Sequence, residues 1–188
     1  YRQAREYENA YNYLMTAGEY YLDNYNYKES VKYYNDAIDI ARKHLSDDDI
    51  KIAGSNQGCA LALKEAGKYD EALDYGLSAE KLYRYKRGKS AYHRIETLNT
   101  IGSIYWNKGK YAEALDYHRK ALKKTRKMNG IYHKETASTY NDIGHVQWSK
   151  GDYKLAEKNF LKGLNIRKEI FGENHEETGD SYNSLGTL

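Results

Sequence analysis

The 188-residue sequence predicts an all-α fold, a solenoid of stacked antiparallel helix pairs, on three observations. Small residues recur 42 positions apart at Gly18, Ala60, Gly102, Gly144 and Gly186, so one unit is written about four and a half times. A fixed period between roughly 20 and 50 residues marks an array whose units stack only on their neighbours. Glycine recurs in the same register at Gly67, Gly109 and Gly151, and again at Gly88, Gly130 and Gly172. Between these glycines the apolar spacing is helical, as in Leu98, Ile101, Ile104 and Tyr105, then Tyr111, Ala114, Leu115, Ala121 and Leu122.

Each element follows from that register. The first helix of a unit is built around the leading small residue. Gly67, Gly109 and Gly151 end it, because glycine accepts the left-handed conformation that closes a helix. Tyr27, Tyr69, Tyr111 and Tyr153 begin the second helix and wedge against the first. Ser30, Ala72, Ala114 and Ala156, then Ala37, Ala79, Ala121 and Gly163, are small where backbones approach. Gly88, Gly130 and Gly172 end the second helix. The units run over 11–52, 53–94, 95–136 and 137–178, with a partial unit at 179–188, in one domain spanning 1–188. The stretch up to Leu188 cannot bury its apolar face alone, so a longer chain is expected.

At this point the residues resemble a family. Residues 98–122 follow the tetratricopeptide repeat, with Leu98 in the Trp place, then Ile101-Gly102, Tyr105, Ala114 and His118. Residues 140–164 match again through Tyr140, Ile143-Gly144, Ala156 and Phe160. The period of 42 exceeds the usual 34 and proline is absent from the chain. Residues 166–186 are similar to the long-repeat subclass seen in kinesin light chains. His133 and His175 sit where that subclass carries a His-Pro turn, with Lys134 and Glu176 in the proline place. The resemblance implies a right-handed superhelix acting as a non-catalytic binding module or adaptor, whose first helices line a concave groove.

Composition agrees with a thin, well-solvated array: 40% of residues are hydrophobic and 30% are charged. Tyrosine supplies 22 of the 26 aromatic residues and is expected in the large core slots usually held by Phe and Leu. Cys59, the single cysteine, excludes an internal disulfide and fits a buried apolar slot and a reducing compartment. No apolar run approaches the length of a membrane span. An intracellular, cytoplasmic location is expected.

No chemistry-bearing motif emerges. The six histidines are His44, His93, His118, His133, His145 and His175, and none lies in a zinc-protease helix motif. Neither a nucleophile elbow nor a phosphate-cradling loop occurs. His118 reads as a packed core imidazole. Asp47, Asp48 and Asp49 after Ser46 read as a helix start, carboxylates being favoured at its positive end. The chain is expected to be no enzyme and to need no cofactor or metal.

Net charge is only +3, but Lys81–Lys127 holds 14 Lys or Arg against Glu96, Glu113 and Asp116. Arg119, Lys120, Lys123, Lys124, Arg126 and Lys127 crowd one second helix. They form either a solvated outer face or a patch for an acidic partner, nucleic acid or membrane lipid. Nucleic acid is disfavoured, because no base-reading motif accompanies the charge.

The groove rungs are the sharper signal. One reads Met15, Gln57, Asn99, Asn141, Asn183; the other reads Leu22, Lys64, Trp106, Trp148. An asparagine offers donors and an acceptor to any peptide backbone, and the long-repeat subclass uses such a ladder to grip peptides. The alternative is that these amides stitch neighbouring helices. The tryptophans either face the groove as anchors or pack on the preceding unit. Ser103, His145, Asn107 and Ser149 lie between the rungs. Glu19 and Glu65 line the region instead of the Lys and Arg clamp that chaperone-binding relatives use. The expected partner is a protein or an extended or short helical peptide. The alternatives are a structural scaffold of a large assembly, its groove filled in cis or by a fixed neighbour, and a peptide-sensing regulator.

Overall fold

The computed structural model describes residues 2–45, 48–86 and 88–187, without the Lys89 side chain, and its regular structure is helical throughout. In chain order the helices are α1 (Arg2–Asp23), α2 (Tyr27–His44), α3 (Asp49–Glu65), α4 (Tyr69–Tyr83) and α5 (Lys89–Asn107), then α6 (Tyr111–Asn129), α7 (Lys134–Lys150), α8 (Tyr153–Phe171) and α9 (Glu176–Gly186). Contacts divide the chain into two compact units, Tyr1–Ile104 and Tyr105–Leu188, the division falling inside α5. In the first unit α1 packs on α2, α2 on α3 and α3 on α4. In the second α6 packs on α7, α7 on α8 and α8 on α9. The chain thus adopts the all-α array of helix pairs that its 42-residue period predicts.

The turn inside each pair uses one hydrogen-bond pattern. The Gly151 N–H donates to Trp148 O at 2.9 Å and the Asp152 N–H to Gln147 O at 2.9 Å, closing α7 on a left-handed residue. In the first pair the same slot holds Tyr25, the one described non-glycine residue with positive φ, at 59°. Its N–H donates to Leu22 O at 3.1 Å and that of Asn26 to Tyr21 O at 2.8 Å, so the turn forms despite the side chain.

The joints between pairs are less uniform. Gly130 and Gly172 cap α6 and α8 as expected, and Thr136 and Thr178 donate to their carbonyls at 3.1 and 2.8 Å. Where proline is missing, the N-cap is His133 at α7 and His175 at α9, and the His175 ring accepts from the Glu177 N–H at 3.2 Å. Gly88 departs from the expectation, because α4 stops at Tyr83 and Gly88 precedes α5. A charge cluster organises this joint instead. Glu80 is buried and accepts from Arg84 Nη2 at 2.7 Å and Arg94 Nη2 at 2.6 Å, while Arg94 Nη1 donates to Arg84 O at 2.7 Å. Burial alone would raise the Glu80 carboxyl, but the two guanidinium groups outweigh it and hold its pKa below the ordinary value. At the start of α3, Asp48 accepts from the N–H groups of Ile50 and Lys51 at 3.0 and 3.3 Å, a plain N-cap. Ser46 and Asp47 of the same stretch lie outside the described residues.

Packing between the helices is an exchange of sizes. The Tyr34 ring lies where a Cβ on Gly18 would come within 2.7 Å and one on Gly58 within 2.5 Å. The Phe160 ring does the same over Gly144, at 2.5 Å. At the equivalent place in the second pair the small residue is on the other helix: Gly76 lies near Ala60, with Ile101 filling the space. Tyr11, Tyr34, Tyr83 and Tyr140 are buried in large core slots, as expected of the tyrosines, whereas others, Tyr25, Tyr85 and the 57%-exposed Tyr153 among them, lie at the surface. Cys59 is fully buried in the core built by Tyr11, Tyr34, Ile38 and Ile52.

In an ordinary helix interior Gly→Ala stabilises by about 0.5–1 kcal/mol. Gly144→Ala is expected to have the opposite sign and cost about 1–3 kcal/mol, because Phe160 is buried and its ring must move. Chemical denaturation of the two proteins measures the sign directly.

Candidate functional site

In the first unit α1, α3 and α5 enclose a cleft of about 430 Å³. Gly54 and Gly58 of α3 leave its floor open, so Tyr34 and Tyr83 from the second helices line it beneath them. Met15, Leu22 and Leu61 supply apolar wall, and Glu19, Gln57, His93 and Glu96 supply polar groups. Gln57 is held in place: its Nε2 donates to Glu96 Oε2 at 3.3 Å and its Oε1 accepts from Thr97 Oγ1 at 3.0 Å. Lys64 pairs with Glu65 at 2.8 Å and does not line the cleft. Asn99 and Ser103 are half-buried further along α5.

The second unit places its rung residues differently. Asn141 is buried, and its Nδ2 donates to Ser184 Oγ of α9 at 3.3 Å. Its Oδ1 is buried without a hydrogen-bond partner and sits 2.7 Å from where a Cβ on Gly163 would stand. Asn183 is exposed on α9, and Asn107 is exposed at the end of α5. The two tryptophans also part company. Trp106 is half-buried, donates from Nε1 to Ser149 Oγ at 2.8 Å and stacks on His145 at 6.2 Å between ring centroids. Trp148 is 41% exposed. His145 contacts Phe160 edge-on at 4.9 Å, and burial lowers its pKa.

Two features of this cleft are also legible in the sequence. Gly54 and Gly58 fall outside the punctuation series, so their openness had to serve something other than a turn. His93 and Glu96 stand three residues apart on one helical face and meet at 3.3 Å.

The six cations of α6 divide. Lys120 pairs with Asp116 and lies over the Tyr117 ring at 4.6 Å, and Lys124 is engaged within the fold. Arg119, Lys123, Arg126 and Lys127 instead line a separate cleft of about 380 Å³ with Leu122 and Ile131. Among the described residues no helix is long and apolar enough to cross a membrane, and no group of three His, Cys, Asp or Glu could hold a metal.

A family model described as tetratricopeptide repeat matches residues 93–169 and 135–188, and a second model of the same description matches 12–50. The chain belongs to the tetratricopeptide repeat family. Its fold is similar to that of BtubC (BKLC) from P. vanneervenii, with a TM-score of 0.80 and 16% identity over 99% of this chain and 81% of that one. It is similar to a putative kinesin light chain with TPR-like repeats from Podospora anserina, at TM-score 0.79 and 15% identity over 94% of this chain and 83% of that one. The Rap conjugation gene regulator of plasmid pLS20, solved with a peptide, aligns at TM-score 0.70 and 18% identity. That match covers 93% of this chain and 52% of the regulator. No curated protein sequence matches.

Two titratable groups of this tetratricopeptide array are buried beyond chemical use. Burial pushes the Cys59 thiol up to about 12, which leaves no thiolate near neutrality. His118 occupies the slot of Tyr34 and Phe160, is 1% exposed, and burial lowers its pKa to about 4. Asp142 lies 4.0 Å from its ring, but desolvation dominates and the imidazole is neutral at ordinary pH, so the contact is no ion pair there.

Because the folded pKa of His118 is below the unfolded value of 6.5, the unfolded chain binds the extra proton first. Its contribution is therefore complete above pH 6.5 and declines as pH falls toward 4, by about 3 kcal/mol at the lower limit. His118→Phe, which copies the residue at position 160, is expected to flatten this part of the stability profile, read by urea unfolding across that pH range.

Proposed function

We propose that this tetratricopeptide array is a non-catalytic protein-interaction module that takes an extended or short helical peptide segment on its first-helix face. The observation that carries the reading is the cleft among α1, α3 and α5, with its glycine floor over tyrosine rings and a fixed amide at Gln57. Apolar wall with a few placed polar groups is the usual make-up of a ligand cleft, and about 430 Å³ lies within the roughly 300–1,000 Å³ such clefts enclose. Gln57 and Glu96 offer donors and acceptors to a peptide main chain, while Met15, Leu22 and Leu61 accept its apolar side chains. On the same helix set, Asn99, Ser103, Asn107, His145, Trp148 and Asn183 extend the polar and aromatic surface within each unit. Asn141 and Trp106 serve this face indirectly, by tying α7 to α9 and α5 to α7. Lys64, on the same helix as Gln57, is paired with Glu65 and stays outside the cleft lining. The peptide-bound regulator is a relative in fold and supports a peptide as the class of partner.

Gly54 separates binding from folding. A Cβ there meets only the Tyr83 hydroxyl at 3.5 Å and the Tyr11 hydroxyl at 3.8 Å, ordinary contact distances. Gly54→Gln is therefore expected to keep or raise the melting temperature, glycine being the weaker helix former. Peptides selected from a random display library on the wild-type protein should lose roughly tenfold or more in affinity for this variant, read by fluorescence anisotropy. Unchanged affinity, or no enrichment in the selection, would count against the cleft as the site.

A further inference from the structure

The basic cleft of the second unit has no place in the peptide reading above, because it lies on a second helix and not on the first-helix face. Its walls hold four cations, Arg119, Lys123, Arg126 and Lys127, and two apolar side chains, Leu122 and Ile131. All four cations are exposed, and none has a carboxylate partner among the described residues. No acidic residue lines the cleft.

Helix electrostatics accounts for only part of this. Cations are favoured in the last turn of a helix, and Arg126 and Lys127 stand in the last turn of α6. Arg119 and Lys123 lie further from its end at Asn129, beyond the reach of that effect. The repeat supplies its own control. One unit on, the same four slots hold Leu161, Asn165, Lys168 and Glu169; in α2 they hold Asn35, Asp39, Arg42 and Lys43. Stacking therefore does not require cations there. Elsewhere three of the cations in these slots are paired, Lys43 with Asp39 at 3.4 Å, Arg84 with Glu80 at 2.7 Å and Lys168 with Glu173 at 2.9 Å, while Arg42 and Lys81 line a cleft together with Asp36, Asp39, Asp49 and Asp74. Only α6 carries all four, and it leaves them unpaired.

We propose that this cleft binds an acidic peptide segment of a partner protein, one that mixes carboxylates with apolar side chains. Four unpaired cations on one face create a local field that attracts carboxylates and holds them by charge-assisted hydrogen bonds. Leu122 and the 42%-exposed Ile131 give an adjoining apolar surface that a small anion would leave unused. The cleft, about 380 Å³ and open to solvent, brings the four cations and the two apolar side chains within reach of one peptide segment. This site is independent of the α1, α3 and α5 cleft, and either can fail without the other.

The test uses a fluorescein-labelled peptide of alternating Glu and Leu, with binding read by anisotropy at low ionic strength and at about 1 M salt, where the Debye length is about 3 Å. The wild-type protein is compared with Arg119→Gln/Arg126→Gln and with a charge-matched control, Arg5→Gln/Lys28→Gln, on exposed positions of the first unit. The expected result is binding that weakens at high salt, a roughly tenfold or greater loss in the cleft variant, and little change in the control. Circular dichroism should show both variants folded as the wild type is. Equal weakening in both variants would reduce the effect to net charge and overturn the proposal. Absence of binding to the peptide would overturn it too, and binding to phosphatidylserine vesicles alone would assign the face to a lipid surface instead.

Discussion

The contact between a buried ring and a glycine of the facing helix sets the spacing on which the array depends. Tyr34 occupies the volume that a side chain on either Gly18 or Gly58 would need, so one ring settles how closely α2 approaches both α1 and α3. Close-packed interiors leave little slack, and a ring that has found such a recess cannot slide by a residue without collision. The other contacts of the first unit follow from that placement. Ser30 donates to Gly18 O at 2.8 Å beside the ring, and Cys59 is sealed behind it. Phe160 over Gly144 repeats the arrangement in the second unit with a different ring.

Given that spacing, the first helices come near enough for side chains about one repeat apart to bond across the joint. Tyr11 reaches Lys51 O at 2.9 Å, Thr97 reaches Gln57 at 3.0 Å, Trp106 reaches Ser149 at 2.8 Å and Asn141 reaches Ser184 at 3.3 Å. Residues that face a potential ligand thus also fasten one repeat to the next. The proposed binding surface and the joint share the same helix faces. A ligand lying across neighbouring first helices would meet polar groups whose orientation is already set, which lowers the ordering cost of association.

The helix pairs, their turns and their small contact residues were legible because steric demands recur in every unit and therefore print a period. The α4–α5 joint was not, since its order depends on Glu80, Arg84 and Arg94, a cluster used once. Spacing places Asn99, Asn141 and Asn183 on one helix face, but which atom each side chain finds depends on residues some forty positions away. Asn141 meets a serine hydroxyl in the next repeat, while Asn183 stands exposed. The α6 cations illustrate the same limit. Their number is plain in the chain, but the division between Lys120, tied to Asp116, and the four around the cleft depends on which neighbours each side chain meets in the fold.

The ring-and-glycine contact also bears on how such an array can be rebuilt. Units that share a register look like interchangeable parts, so that excising one period ought to rejoin the helices cleanly. The size exchange makes the parts non-equivalent. Removal of residues 53–94 would leave the α1 half of the Tyr34 recess intact but bring Thr100 to the place of Gly58. A branched side chain would then stand where even a single carbon comes within 2.5 Å of the ring. Lengthening or shortening the array by recombination therefore demands a compensating change on the facing helix, and each repeat is matched to its own neighbours.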